Sequence, residues 1–586
     1  VDGGYGCEVV NVYAHPADPC PKFPQSRRDR LTAGSGFGIV GENRSGKSNL
    51  IHALRLVLDT TLSIADRQLD RDDFWDGLSD GSPDWDPLSA GHVIEVSIDI
   101  VGFADNARVL TALADALVEQ DPPHARLTYR FGPVDMGDDA IPLASRYQGR
   151  VYGGDSYTRD ISTSVRRQLH FHLLPALRDV ESDIARWRGS PLRELLERAA
   201  REVSDDDLTQ VRAAMRTTND RVNDLDQIRD LSGRISERLT EMVGPYQAVD
   251  TDLAVAPEDP MRLIRSMRIF VDGPLRRRLS SASLGTLNII YLALLDLGLQ
   301  DRLSDQVIAH TVVAIEEPEA HLHPHLQRVI FRQVLTEAND ERTVVVTTQS
   351  PHIVSVTDPR KLIMLRSQDD QTTVCAATSA VLQPGEWNDI ARYLDATRAE
   401  IVFARKVLLV EGFAEQVLVP VMAAQIGIDL DKLGISVCAV HGTHFGSYVR
   451  FCAALSIPWA VLTDGDPDTA GVSRGGKRAA DLIASLELAG PPSAHGCFVG
   501  NTTFEYDLVA SEPRNVAAAF DALTALSAAP SAAVIKGWGD TVPDQDTFMR
   551  AIANAGGKGR YAQRLAEASI EPPGYVDQAL RYLAQT

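Results

Sequence analysis

At 586 residues the sequence is long enough for two or more domains, and with 44% hydrophobic and 24% charged residues its composition is ordinary for a globular protein. No apolar run reaches membrane-spanning length, which excludes a transmembrane helix. A net charge of −22 argues against a non-specific nucleic-acid coat, but not against a DNA enzyme whose acidic site is neutralised by metal ions. The six cysteines, Cys7, Cys20, Cys375, Cys438, Cys452 and Cys497, form no C-x-x-C pair. Free thiols in a reducing cytoplasm are expected, with neither a zinc site nor a disulfide framework. The N-terminal stretch shows no basic flank followed by an apolar run, so no secretory signal is expected there.

Residues 1–36 read as loop, around Cys20-Pro-Lys-Phe-Pro24 and Ser26-Arg-Arg-Asp-Arg30. An apolar strand, Phe37-Gly-Ile-Val40, then runs into Gly41-Glu42-Asn43-Arg44-Ser45-Gly46-Lys47-Ser48, and a helical run follows from Leu50. Strand, G-x-x-x-x-G-K-S loop and helix together are the signature of a P-loop. The glycines let backbone N–H groups face a phosphate, and the helix N-terminus adds partial positive charge. Lys47 is expected to reach the outer phosphates and Ser48 to bind Mg²⁺.

Asp66 to Asp86 is polar and aspartate-rich and reads as a long connection. Val93–Ile100 alternates with period two, and Arg126–Phe131 is a second strand of the same patch. Phe171–Val180 is a short buried segment ending in charge. From Ser182 to Val243 the pattern is helical. Leu192, Leu195, Leu196 and Ala199 lie on one face, and Ile228, Leu231, Ile235 and Leu239 on another. Such an insertion suits either an arm that packs on a second copy or a lid on its own domain. Arg262, Arg265, Arg268 and Arg276–Arg278 make either a local basic patch or a solvated face.

Ser283-Leu-Gly285 opens a strongly apolar helix, with Ser283 as its cap. Thr311–Ile315 is a buried strand ending in Glu316-Glu317-Pro318-Glu319. Carboxylates at the tip of an apolar strand, after a P-loop, suit metal coordination by Glu316 and water activation by Glu317. In Ala320-His-Leu-His-Pro-His325, Pro324 breaks any regular strand or helix. A loop touching a nucleotide or a second subunit is favoured there over a metal site. Thr343–Thr348 is another buried strand, ending in Gln349-Ser350-Pro351-His352 near the expected γ-phosphate.

A break follows at Pro384-Gly385. Val407–Val410 is a buried strand ending in Glu411-Gly412-Phe413-Ala414-Glu415, and Val417–Ile426 is an apolar helix. Trp459–Leu462 ends in Thr463-Asp464-Gly465-Asp466. Glu505 lies in Thr502–Tyr506, and Gly556-Gly-Lys-Gly-Arg560 opens a helix. Ligands bind at the C-terminal edge of open parallel sheets. Glu411, Glu415, Asp464, Asp466 and Glu505 make a cluster of hard oxygen donors suited to Mg²⁺ or Mn²⁺. Glu411 and Asp464 are expected to hold a main ion, with Asp466, Glu415 and Glu505 completing a second site and Lys558 stabilising the transition state.

The first set of motifs resembles the ABC/SMC-like ATPases. GENRSGKS is the P-loop, Ser283-Leu-Gly285 the signature turn, IEEPEAHLHP the Walker B strand with its continuation, and TTQSPH the switch. The resemblance implies two copies clamping ATP. Gly41, Asn43, Gly46, Lys47 and Ser48 would bind phosphate and Mg²⁺, Glu316 the metal, and Glu317 would serve as base. Ser283 and Gly285 would contact the partner's γ-phosphate. Gln349 stands where the family usually has histidine, which leaves ATP turnover open, with His352 as a substitute. The second set resembles a TOPRIM domain, and the order of the two is that of the OLD (overcoming lysogenisation defect) nuclease family, with a layout similar to the nuclease subunit of the Gabija system.

The implied architecture is α/β: an ABC/SMC-like P-loop ATPase at 1–181 and 246–395, a helical insertion for dimerisation at 182–245, and a Rossmann-like TOPRIM domain at 396–586. The implied function is a metal-dependent DNA endonuclease or nickase in anti-phage defence, cytoplasmic and off the membrane. It would be homodimeric or larger, gated by ATP, and associated with a helicase-like or other defence partner. Two alternatives stay open: an ATP-dependent DNA clamp or sensor without cleavage, and a TOPRIM topoisomerase-like enzyme.

Overall fold

The computed structural model describes residues 8–9, 36–79, 81–135, 141–157, 160–175, 190–243, 259–304, 307–320, 322–336, 338, 341–368, 371–395 and 397–585. The loop reading of residues 1–35 thus lies outside the described residues, apart from Glu8–Val9. Both edges of the expected insertion, the charged end of Phe171–Val180, and His321 also lie outside them. The chain forms two compact units, Val1–Ala176 with Ile308–Thr586, and Leu177–Val307.

In the first unit, strand β1 (Gly36–Gly41) is buried throughout and enters helix α1 (Lys47–Leu58) through the P-loop. Two arginines cap the far end of α1. Arg67 donates to Leu56 O at 2.7 Å and to Asp59 O, and Arg166 donates to Val57 O at 3.4 Å. These cations answer the negative end of the helix dipole, as its free N-terminus answers an anion. The expected antiparallel patch is β2 (Ile94–Val101), β3 (Pro123–Pro133) and β4 (Tyr147–Gly153), with β3 between the other two. Glu8–Val9 and Leu117–Gln120 extend it to five strands.

The main sheet continues with β5 (Leu169–Leu174), β6 (His310–Glu316), β7 (Arg342–Thr348), β8 (Leu362–Gln368) and β9 (Gln371–Ala376), and α2 (Pro324–Thr336) lies between β6 and β7 in the chain. Pro324 opens this helix, where its missing N–H is harmless. The strand order is β9-β8-β1-β7-β6-β5, parallel except for the β8–β9 pair. β-Branched runs such as Thr343-Val-Val-Val-Thr-Thr348 suit strands buried on both faces. Because β7 lies between β1 and β6, the switch residues at its end fall between the P-loop and the Glu316-Glu317 tip.

Strand β10 (Lys406–Val410), helix α3 (Phe413–Gln425), β11 (Ile435–Ala439), β12 (Trp459–Thr463), α4 (Arg474–Ser485), β13 (Cys497–Val499), α5 (Phe504–Ala510), α6 (Lys558–Leu565) and α7 (Gly574–Gln585) make the C-terminal part. Its sheet is fully parallel in the order β11-β10-β12-β13. The two faces of β10 serve two cores, as alternation along a strand requires. Leu408 and Val410 pack with Leu418, Met422, Leu508, Tyr561 and Leu583 of the surrounding helices. Val407 and Leu409 join a core that also contains Val40 of β1 and Leu362 and Met364 of β8. The main sheet and the C-terminal sheet therefore share apolar packing.

The second unit contains the helices Pro191–Glu202, Asp205–Asn223, Asp226–Val243 and Leu284–Ser304. Pro191–Glu202 packs on Leu284–Ser304, tied by Arg198–Asp301 at 3.2 Å and by Arg302 on Glu194. Val211, Val222, Leu225, Leu231, Ile235 and Met242 stay exposed along the middle helices. Arg277–Arg278 pairs with Phe270–Val271 in a small exposed hairpin.

Candidate active sites

At the P-loop, Gly46 caps α1 in the left-handed region at φ 91° and precedes Lys47. Lys47 is 6% exposed, and its ammonium donates to Gly41 O and Glu42 O, both at 2.9 Å. Burial lowers its pKa, against the opposing pull of Glu317, Glu319 and Glu42. A buried cation that, among the described residues, is held by two carbonyl oxygens at the start of a helix fits a phosphate ligand. The exposed Ser48 hydrogen-bonds the Glu316 carboxylate, which burial and then Glu317 push above the ordinary carboxylate range. The two expected Mg²⁺ ligands of this site are thus in contact, and both are oxygen donors of the kind Mg²⁺ takes.

Glu317 adopts φ 41°, a left-handed conformation uncommon outside glycine. Its N–H donates to Thr347 O at 2.9 Å. Gln349 Nε2 donates to Glu317 Oε1 at 2.6 Å and to Asn43 Oδ1 at 2.8 Å, so one amide bridges the expected base and the P-loop. His352 is not part of this bridge; its Nδ1 lies 3.1 Å from Arg328 Nη1. Sequence reasoning assigned nothing to Glu319. Its carboxylate accepts from Thr348 Oγ1 at 2.9 Å and Gln349 N at 2.7 Å, fastening the loop after β6 to the end of β7. Ser283 lies in the second unit, where its hydroxyl caps the helix Leu284–Ser304 by accepting from Thr286 N at 3.2 Å, with Gly285 in the first turn.

The C-terminal site forms where β10 and β12 end. Glu411 Oε1 accepts from Thr463 Oγ1 at 2.5 Å, Asp464 N at 2.9 Å and Arg478 Nη2 at 3.2 Å. Glu415 follows in the first turn of α3, earlier than the expected helix start, and is 7% exposed. Burial, then Glu505 and Glu411, push it up to about 7. Asp464 accepts from Phe504 N at 2.9 Å; burial, then Glu411, Glu415 and Glu505, push it up to about 8. Glu505 is 1% exposed, and Lys558 Nζ lies 2.9 Å from its Oε2. Burial pulls Lys558 down, but Glu505, Asp464 and Glu415 outweigh it and hold the ammonium above its ordinary value.

Asp466, at φ 42°, faces Arg478 Nη2 at 3.2 Å. Arg478 escaped the sequence reading because a lone arginine in a helix carries no signal. It lies 15 residues after Thr463, to which it also donates, and one turn inside α4. The start of α4 comes so close that a Cβ on Gly475 would lie 1.9 Å from Asp464 O. Among the described residues, no group of three or more His, Cys, Asp or Glu side chains forms a ready metal cage. Within the expected five-carboxylate set, Glu411 and Asp466 face Arg478 and Glu505 faces Lys558, while Asp464 feels the charges of Glu411, Glu415 and Glu505. The donor set still fits a hard divalent ion, since its members are all carboxylates and two of them are driven toward protonation by each other and by burial.

A family profile described as "AAA domain, putative AbiEii toxin, Type IV TA system" matches residues 37–355, more than half of the chain. The chain belongs to that AAA-domain family. A second profile, "Overcoming lysogenization defect protein-like, TOPRIM domain", matches residues 402–466, from the lead into β10 through Asp466. The AAA domain thus precedes an OLD-like TOPRIM domain, as the motifs imply. The "OLD nuclease" of Thermus scotoductus is 25% identical over 461 residues, 74% of this chain and 79% of that protein. The "Endonuclease GajA" of Bacillus cereus is 27% identical over 155 residues, 26% of each chain. The solved C-terminal region of the Burkholderia pseudomallei OLD protein is 31% identical, covering 31% of this chain and 98% of that one, with a TM-score of 0.29. Among the described residues, no helix of this AAA–TOPRIM chain is long and apolar enough to cross a membrane.

Proposed function

We propose that this chain is an ATP-binding, divalent-metal-dependent DNA endonuclease or nickase of the OLD type, with ATP gating the TOPRIM site, working in anti-phage defence in the cytoplasm. The observation that carries the reading is the meeting of Glu411, Glu415, Asp464 and Glu505 with Lys558 at the end of a parallel sheet. The nuclease names of the relatives support it.

In this reading Glu411, Asp464, Glu415, Asp466 and Glu505 would hold Mg²⁺ or Mn²⁺. When bound, the ions supply an activated water and charge compensation at the leaving oxygen of a phosphodiester. Thr463, Asp464 N and Arg478 orient Glu411. Lys558, paired with Glu505 at 2.9 Å, would turn to the phosphate, whose charge grows in the transition state. Arg478 keeps Asp466 and Glu411 in register.

At the AAA site Lys47 would leave the Gly41 and Glu42 carbonyls for the ATP phosphates, with Ser48 and Glu316 holding Mg²⁺. Gln349 holds Glu317 against Asn43 until a γ-phosphate offers the amide another acceptor. Glu317 then takes a proton from the attacking water. Ser283 and Gly285 would serve the partner copy's nucleotide. The apolar side chains exposed on Asp205–Asn223 and Asp226–Val243 support assembly into a dimer or larger homo-oligomer, and a helicase-like or other defence partner would complete the system.

The test is cleavage of supercoiled plasmid with Mg²⁺ or Mn²⁺, with and without ATP, beside Lys558→Ala. Nicking or linearisation that needs the metal and is lost in the variant supports the reading. Intact plasmid in every lane, or relaxation without breaks, overturns it.

A further inference from the structure

One ion pair joins the P-loop to the strand that carries Glu411. Both oxygens of the Glu42 carboxylate are engaged by Arg405, with Nε and Nη2 each at 2.9 Å. Arg405 immediately precedes β10, and Glu411 immediately follows it. The backbone is pinned at both ends of the pair. Lys47 Nζ holds Glu42 O at 2.9 Å. Arg405 N donates to Gly434 O at 3.0 Å, while Arg366 donates to Ala404 O at 2.9 Å and Arg405 O at 3.5 Å. Arg366 itself sits on β8, whose neighbour Leu365 is in register with Gly41 at the mouth of the P-loop. Beneath the pair, Val40 shares a core with Val407 and Leu409.

The pair is about half exposed, Arg405 at 64% and Glu42 at 50% of side-chain surface. Exposed pairs add little to stability, so stability does not explain a two-pronged contact at this place. A guanidinium engaged through two nitrogens does fix orientation as well as distance. We propose that the Glu42–Arg405 pair couples nucleotide occupancy of the P-loop to the position of β10, and through it to Glu411. The proposal rests on the ATP-binding and nuclease reading above. Phosphates in the loop draw Lys47 off the Glu42 carbonyl and free that residue's backbone. The Glu42 carboxylate carries the shift to Arg405, and the close-packed core passes it along β10, because packed strands do not absorb displacement locally. The route lies within one chain and is separate from contacts between copies.

The test is hydrogen exchange of the segment 404–412, with and without Mg²⁺-ATP. The unaltered protein is compared with Arg405→Ala and with the charge-exchanged pair Glu42→Arg with Arg405→Glu. In the unaltered protein ATP is expected to change exchange by about fivefold or more, the lower range of ordinary coupling. In Arg405→Ala the change shrinks to under about twofold, while ATP affinity and nicking without nucleotide stay as before. The charge-exchanged protein regains part of the response. A segment indifferent to ATP in the unaltered protein, or fully responsive in Arg405→Ala, overturns the proposal. A plasmid assay run in parallel separates the two ideas. Exchange that responds to ATP beside uncut plasmid sinks the nuclease reading alone, and nicking beside unresponsive exchange sinks the coupling alone.

Discussion

The Gln349 amide nitrogen donates to the Glu317 carboxylate at 2.6 Å. A side chain that cannot carry a proton thus holds the one expected to receive it. Gln349→Leu removes that bond and the one to Asn43. ATP turnover is expected to fall about tenfold or more, as for other lost hydrogen-bond donors at reacting centres, with ATP affinity changed by no more than a few-fold. Steady-state phosphate release and equilibrium nucleotide binding check this.

Lys558→Met leaves Glu505, at 1% exposure, facing no cation. Metal-dependent nicking is expected to drop by about a hundredfold. The metal-free protein should lose about 1 kcal/mol, a figure reduced for the half-exposed lysine. Adding Glu505→Gln should recover the stability and leave the nicking absent. Thermal unfolding beside plasmid cleavage separates the two effects.

Glu415 and Asp464, ordinarily 4.5 and 3.8, stand at about 7 and about 8. A carboxyl raised in the folded state binds its proton more tightly there than in the unfolded chain. Its contribution to stability is therefore complete below the unfolded value and is lost as pH rises through the folded one. The metal-free melting temperature should decline between about pH 4 and pH 8 from this source. Mg²⁺ should raise it more at pH 8 than at pH 5, because only the ionised acids attract the ion. Melting curves across pH with and without Mg²⁺ are the check; a Mg²⁺ effect equal at both ends would contradict the assignment.

A Cβ placed on Gly475 would meet Asp464 O at 1.9 Å. Gly475→Ala must push the start of α4 away from the Thr463–Asp466 turn. Overpacking of this kind costs about 1–3 kcal/mol, and it moves Arg478 off Glu411 and Asp466. Denaturant midpoints should fall and nicking weaken together, whereas Gly476→Ala, whose nearest neighbour is Ser473 Oγ at 3.3 Å, should be far milder.

Much of the placement of the candidate site residues was legible because they sit in short runs: the P-loop, Glu316-Glu317, Thr463–Asp466 and Gly556–Arg560 each announce a strand tip or a helix start. The arrangement between runs was not. Nothing in Thr343–Thr348 says that it lies between β1 and β6, yet that placement brings Gln349 to both Asn43 and Glu317. The part of Arg478 depends on a helix returning to the sheet edge, and that of Glu319 on a loop folding back onto β7. Lys558 reads from sequence as a phosphate contact, and its pairing with the buried Glu505 depends on the start of α6 and the first turn of α5 meeting in space. Val407 and Leu409 read simply as apolar strand residues, because a sequence does not say which other sheet will cover them.

That covering sheet has a bearing on descent. Val40 on one side and Val407 and Leu409 on the other fill a common core. A recombination event that grafts a different TOPRIM half onto this ATPase must bring a matching apolar face or leave a gap beneath the P-loop strand. The two halves are thereby expected to be inherited as one piece, and a change of side-chain volume on one side to be answered by an opposite change on the other.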